Sequence, residues 1–186
     1  TDRGSPLSVM DNMEWRLVLG LLRCSPYRRP PRPRNRNCSI MPDLPVIYVL
    51  NGPNLNLLGL REPEIYGTDT LDDIAGRLED QARTLGFEID MRQSNHEGHL
   101  IDWMHEANAR GAKAILLNAG GYTHTSIALH DAIKSIKVPV IEVHLSDPMK
   151  REPFRHISFV GKAAIASFAG HGAHSYTLAL DAAAKL

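Results

Sequence analysis

One stretch of the chain reads Glu142, Val143, His144, Leu145, Ser146. Extended backbone repeats every second residue, so Glu142, His144 and Ser146 share a face. A carboxylate beside an imidazole orients the ring and holds a proton on it, which makes a general acid. Ser146 stands where its hydroxyl can hold an oxyanion. Further on, Arg151 and Arg155 are four apart, so on a helical turn both point one way. Two guanidiniums beside a binding edge favour a carboxylate or phosphate. The plainer readings are a buried structural pair and a solvated charged face.

Two other loops carry unusual chemistry. Asn51, Gly52, Pro53, Asn54, Leu55 and Asn56 follow an apolar run. Gly and Pro there set a turn that aims the Asn54 amide over the end of that run. A long polar segment comes next, with Arg61 and Tyr66 before Gly67, and it suits a lid. The other loop, Asn118 through Ser126 (NAGGYTHTS), has two glycines that free backbone N–H groups just before a helix, a setting for an anion. Its glycine spacing fits neither a P-loop nor a dinucleotide fingerprint. His96 and His99 are three apart, whereas a zinc-protease helix needs four, so no metal site is expected. A Gly-x-Ser-x-Gly elbow is absent from the sequence, which argues against a serine hydrolase.

The elements that must position these loops are legible from residue 46 onward. Residues 46–50 (VIYVL), 87–91, 114–117 (AILL), 138–145 and 157–160 read as strands. Helical periods run from the Thr70 cap to Gly86, through Leu100, Met104 and Ala107 to Gly111, over 126–134, and through Tyr176, Leu178 and Leu180. Apolar runs inside the strands, alternating with helices, predict a parallel sheet covered on both faces. The expected fold is a flavodoxin-like, doubly wound, five-stranded α/β domain over residues 44–186. In such sheets ligands bind beyond the carboxyl ends of the strands, at the switch point. The three loops lie there.

The chain has 186 residues with 21 basic and 21 acidic side chains, but the balance is uneven. Residues 1–40 hold eight arginines against three carboxylates, and the rest hold thirteen basic against eighteen acidic groups. The head, taken as 1–43, alternates Arg with Pro over YRRPPRPRNRNC and has no apolar period. It reads first as a disordered leader or upstream extension with Met41 as the natural start, then as a targeting peptide, and last as a nucleic-acid arm. Both cysteines, Cys24 and Cys38, lie in it, which fits a reducing, cytoplasmic setting for the body. Nowhere is there an apolar run long enough for a membrane span.

The strings VLNGPNLNLLGLREPEIYG, RQSNHEG, LLNAGGYTHTSIALHDAI and VPVIEVHLSDPMKREPFRHIS, in that order, cover the body. In them the chain resembles the type II 3-dehydroquinases; the head matches nothing in that pattern. The resemblance implies reversible dehydration of 3-dehydroquinate to 3-dehydroshikimate through an enolate, with no Schiff base, metal or organic cofactor. By position it implies Tyr66 as general base, Arg61 and Arg151 as the cations that stabilise its phenolate, and Asn54 as holder of the water on the enolate oxygen. His144, oriented by Glu142, is the implied general acid. Asn118, His124, Leu145, Ser146 and Arg155 are implied substrate ligands, and Asp131 a residue donated to a neighbouring subunit's site. Trimers assembling into a dodecamer are implied too.

Three other classes fit less well. A flavin or phosphoacceptor module lacks its stacking aromatics and acidic cluster, and fold alone does not give function. A nucleic-acid binder would rest on the head alone, and none is expected as a partner. A structural protein with a decayed site is at odds with an intact Tyr66, Arg61 and His144.

Overall fold

A computed structural model of the chain describes residues 27–28, 44–60 and 68–186. Arg61, Tyr66 and the basic head apart from residues 27–28 lie outside them. The strands, in chain order, are β1 Tyr27–Arg28, β2 Val46–Asn51, β3 Glu88–Gln93, β4 Ala114–Asn118, β5 Val140–Val143 and β6 Ala166–Phe168. The α-helices are α1 Leu71–Leu85, α2 Glu97–Ala109, α3 Ile127–Ser135 and α4 His174–Ala184. Among the described residues, none of these is long and apolar enough to cross a membrane.

The sheet runs β1-β3-β2-β4-β5-β6. Strands β3, β2, β4, β5 and β6 are mutually parallel, the doubly wound arrangement that the sequence predicts. The two residues of β1 add an antiparallel edge, with Tyr27 opposite Gln93 and Arg28 opposite Arg92. Winding reverses at β2, which pairs with β3 on one side and β4 on the other, so Asn51 and Asn118 end side by side.

Period-two alternation divides the core. Ile47, Val49, Leu116, Ile141 and Val143 pack with α1 and α4 on one face. Tyr48, Leu50, Ile115, Leu117 and Val140 pack with α2 and α3 on the other. Each helix supplies an apolar stripe, as Leu71, Ile74, Leu78 and Ala82 do in α1. Its start is set by a capping box: Thr70 Oγ1 accepts from the Asp73 N–H, while the Asp73 carboxylate accepts from the Thr70 N–H. On the outer strand, buried Arg92 is forked between Asp90 and Glu106 at 2.6–2.8 Å. The Arg92 bonds hold the Glu106 carboxyl down to about 2 against the opposing effect of partial burial.

One strand lies elsewhere than expected. Residues 157–160 are not in the sheet; Ala166–Phe168 takes the place beside β5, with Ile141 opposite Ala166. In 157–160 the Phe159 N–H turns away to the Thr123 carbonyl, and Val160 is buried against the α2/α3 side of the core. Of the apolar residues there only Val160 is buried as a plug; Ile157 is exposed, and the segment is a crossing loop. The true strand was hidden by its three-residue length and its central polar Ser167. The stretch 138–145 likewise shortens to the four residues of β5.

The carboxyl-end loops are brought into contact at one point. A Cβ on Gly52 would lie 2.3 Å from the Ala119 carbonyl oxygen. Backbone atoms cannot make way for it, so Gly52→Ala should destabilise the fold by about 1–3 kcal/mol, read from the urea midpoint. Gly121→Ala in the same region, where a Cβ meets nothing within 4 Å, should stay within about 0.5 kcal/mol of the parent. Equal effects of the two substitutions would refute the close-approach account.

Candidate active site

Where β2, β4 and β5 end, their loops enclose a cleft of about 150 Å³. Asn54, Asn118, His124, His144, Leu145, Ser146, Arg151 and Arg155 all line it. These are the residues singled out in the sequence, save four. Arg61 and Tyr66 lie outside the described residues, Glu142 stands behind His144, and Asp131 is exposed on α3 and does not line the cleft.

The Glu142–His144 pair sits at the end of β5. His144 Nε2 is 3.0 Å from Glu142 Oε1, off the line of a well-aligned hydrogen bond, and both side chains are at most 10% exposed. Burial works against an ionised Glu142, yet the adjacent His144 imidazole and hydrogen bonds from Ser158 and Ser167 outweigh it and hold the carboxyl below the ordinary range. Ser158 Oγ donates to Glu142 Oε1 and itself accepts from the Gly161 N–H. A side chain at position 161 would collide with Glu142 Oε2, its Cβ only 2.6 Å away. Ser158, Gly161 and Ser167 are thus parts of the site. The sequence offered no signal for them beyond the need of a buried carboxylate for donors.

His124 lies alongside, its ring stacked on that of His144 at 6.4 Å between centroids. Its Nδ1–H donates to the Ile157 carbonyl at 2.8 Å, which turns Nε2 to the other side of the ring. Burial, with His144 and Arg155 close by, lowers the His124 pKa below 6.5. Arg151 and Arg155 converge on the cleft, but not along one helix: they belong to the segments around two short 3₁₀ turns, Pro148–Lys150 and Pro153–Arg155. The prolines start each turn afresh, and Glu152 between them, 3.5 Å from Arg151 Nε, accepts from Arg155 Nε at 2.7 Å. Arg151 Nη1 also reaches Ser146 Oγ at 3.5 Å.

Asn54 has φ +66°, a left-handed conformation that Asn tolerates better than most residues. Its N–H donates to Asn95 Oδ1 at 2.9 Å, and its own side chain caps nothing. Asn95 is therefore a support that the sequence reading passed over, although it lies in the RQSNHEG string. Nearby, His99 Nδ1 is bonded to Ser94 Oγ, and among the described residues no His, Cys, Asp or Glu group is arranged to hold a metal. The cleft therefore combines a buried carboxylate–imidazole pair, two guanidiniums and amide groups. It suits a small, hydroxylated, anionic substrate and proton transfer.

These environments set an acid response. Both groups have lowered pKa values in the folded chain, so the unfolded chain binds protons first and stability is lost as pH falls. The loss attributable to His124 starts below about 6.5, and that of Glu142 below about 4.5. Urea midpoints measured from pH 7 to 3.5 should drop in both windows. His124→Asn should flatten the upper one and Glu142→Gln the lower; a variant with the parent's profile would refute that assignment.

Comparison with known proteins gives the chain's family. Residues 45–184 match the family described as Dehydroquinase class II. A "3-dehydroquinate dehydratase" of Hyphomonas neptunium is 58% identical over 140 residues, which are 75% of this chain and 93% of that protein. One from Caulobacter vibrioides is 58% identical over 137 residues, 74% of this chain and 93% of its own. Among solved structures, the type II dehydroquinase of Propionibacterium acnes aligns with TM-score 0.74 at 41% identity, covering 77% of this chain and 99% of that one. With the fold and a match across three quarters of its length in accord, the chain belongs to the class II dehydroquinase family of dehydratases.

Proposed function

We propose that the chain dehydrates 3-dehydroquinate reversibly to 3-dehydroshikimate, in aromatic amino-acid biosynthesis or quinate catabolism. The observation that carries this reading is the cleft itself, where His144 backed by Glu142 faces Asn54, Asn118, Arg151 and Arg155.

Tyr66, as phenolate, takes the proton from C2 of the substrate, and the electron pair moves onto the C3 carbonyl oxygen to give an enolate. Tyrosine ionises ordinarily near 10, so the phenolate depends on cations, Arg61 foremost and Arg151 beside it. Asn54 holds the water that hydrogen-bonds the enolate oxygen, a preorganised electrostatic stabilisation. When the carbonyl re-forms, the C1–C2 double bond forms and the C1–O bond breaks. His144 gives its proton to the departing hydroxyl, which leaves as water. Atoms and charges balance with these side chains alone, so the reaction as written calls on no cofactor. Asn118, His124, Leu145, Ser146 and Arg155 hold the carboxylate and ring hydroxyls, consistent with their common cleft.

The catalytic domain is taken as 44–186, in keeping with the family match over 45–184, with 1–43 as an extension. Asp131 serves a neighbouring copy's cleft, which fits its exposure on α3 outside its own, and the assembly is a trimer building to a dodecamer. The cytoplasm is the compartment where such an enzyme and a cysteine-free body belong.

Adding 3-dehydroquinate to metal-stripped protein should raise the ultraviolet absorbance of a conjugated enone carboxylate, and prior borohydride with substrate should not abolish it. Silence from the full chain and from a chain lacking residues 1–40 would overturn the reading. Tyr66→Phe should lose at least about a hundredfold in kcat while still binding a substrate analogue, and His144→Ala should lose a similar factor while folding normally. Near-parent turnover in Tyr66→Phe removes the base; a His144→Ala chain that cannot fold makes that residue structural.

A further inference from the structure

Tyr176 is fully buried in α4, and its hydroxyl sits between the ends of β2 and β4 beneath the cleft. The hydroxyl donates to Asn51 Oδ1 at 2.6 Å and accepts from Asn118 Nδ2 at 2.8 Å. Asn51 Nδ2 donates to the Arg92 carbonyl at 3.1 Å, so only Oδ1 of that amide can face Tyr176. A hydroxyl that donates its one proton to Asn51 must accept from its other neighbour. That neighbour is therefore the Asn118 NH₂ group, and Asn118 Oδ1 turns to the Gly120 N–H at 3.2 Å. Direction passes along the chain from Arg92 through Asn51 and Tyr176 to Asn118, each polarity set by the one before.

We propose that Tyr176 is a positioning residue that sets which way round the Asn118 carboxamide stands, so that Asn118 offers the cleft an N–H donor and not a carbonyl. The substrate group it serves is an oxygen acceptor, a carboxylate or a ring hydroxyl oxygen. This rests on the proposed function for its substrate but not for its geometry. Without the phenolic oxygen, only the longer 3.2 Å bond from the Gly120 N–H holds the carboxamide's orientation, and it can then turn over and aim its carbonyl at an anionic ligand. The ground state and transition state are held alike by such a contact, so its loss falls on KM.

Tyr176→Phe should raise KM for 3-dehydroquinate about tenfold, with kcat within about threefold of the parent. In an Asn118→Ala background the same change should add less than about twofold, since the group it orients is gone. Additive effects, or an unchanged KM in Tyr176→Phe, overturn the proposal. Asn118→Asp keeps the shape without the N–H and should raise KM at least as far as Asn118→Ala; a smaller rise overturns the donor assignment even where Tyr176→Phe does not fold. Should the parent chain turn over no 3-dehydroquinate, the function falls but the positioning can still be read. The Asn118 side-chain amide protons in an NMR exchange experiment should be protected in the parent and exposed to exchange in Tyr176→Phe, and equal protection would overturn the role.

Discussion

The constraint from which the rest of the site follows is the burial of an ionised carboxylate. Glu142 is 3% exposed, and a charge taken from water to that degree is strongly destabilising unless donors replace its hydration. Ser167 donates from the neighbouring strand and Ser158 from the crossing loop, while the His144 imidazole stands 3.0 Å away at the end of its own strand. Gly161 is there because no side chain fits between it and the carboxylate. The loop carrying residues 157–160 lies outside the sheet and brings Ser158 to the carboxylate.

A second consequence concerns proton location. A carboxylate held ionised behind an imidazole keeps one side of that ring committed and leaves the rest of it to the cleft. Its companion His124 is bound by the backbone carbonyl of Ile157, and burial opposes its charge, so the two stacked rings are inequivalent. One faces a carboxylate, the other a backbone carbonyl. Across the cleft, Arg151 and Arg155 supply positive charge without lying in the core, since the prolines of two short turns keep them at the rim. The sheet reversal between β2 and β4 completes the arrangement by placing Asn51 and Asn118 abreast, close enough for a single tyrosine to bridge.

Much of this was legible in one dimension. The runs VIYVL and AILL could only be strands buried on both faces, and the Thr70 cap and leucine period of α1 describe a helix lying on them. Glu142 and His144 meet because extended backbone has period two. Arg151 and Arg155 do converge, though through two turns and not the single helical turn their spacing implied. Tyr176 could be read only as a member of an apolar helix face, because a hydroxyl's partners on strands about 60 and 125 residues away leave no mark on its neighbours.

What the amino-acid order determined by itself was local: the period of each element, the caps that start the helices, the turn residues after β2 and β4, and the presence of a carboxylate–imidazole pair and two arginines. Such features depend on neighbours within a few residues, where backbone geometry dictates contact. Tertiary structure alone decided which three-residue segment fills the sheet edge, which serines satisfy Glu142, and which way the Asn118 amide faces. Those outcomes depend on hydrogen-bond partners far apart in the chain, and a buried polar group accepts whichever donor the packing delivers.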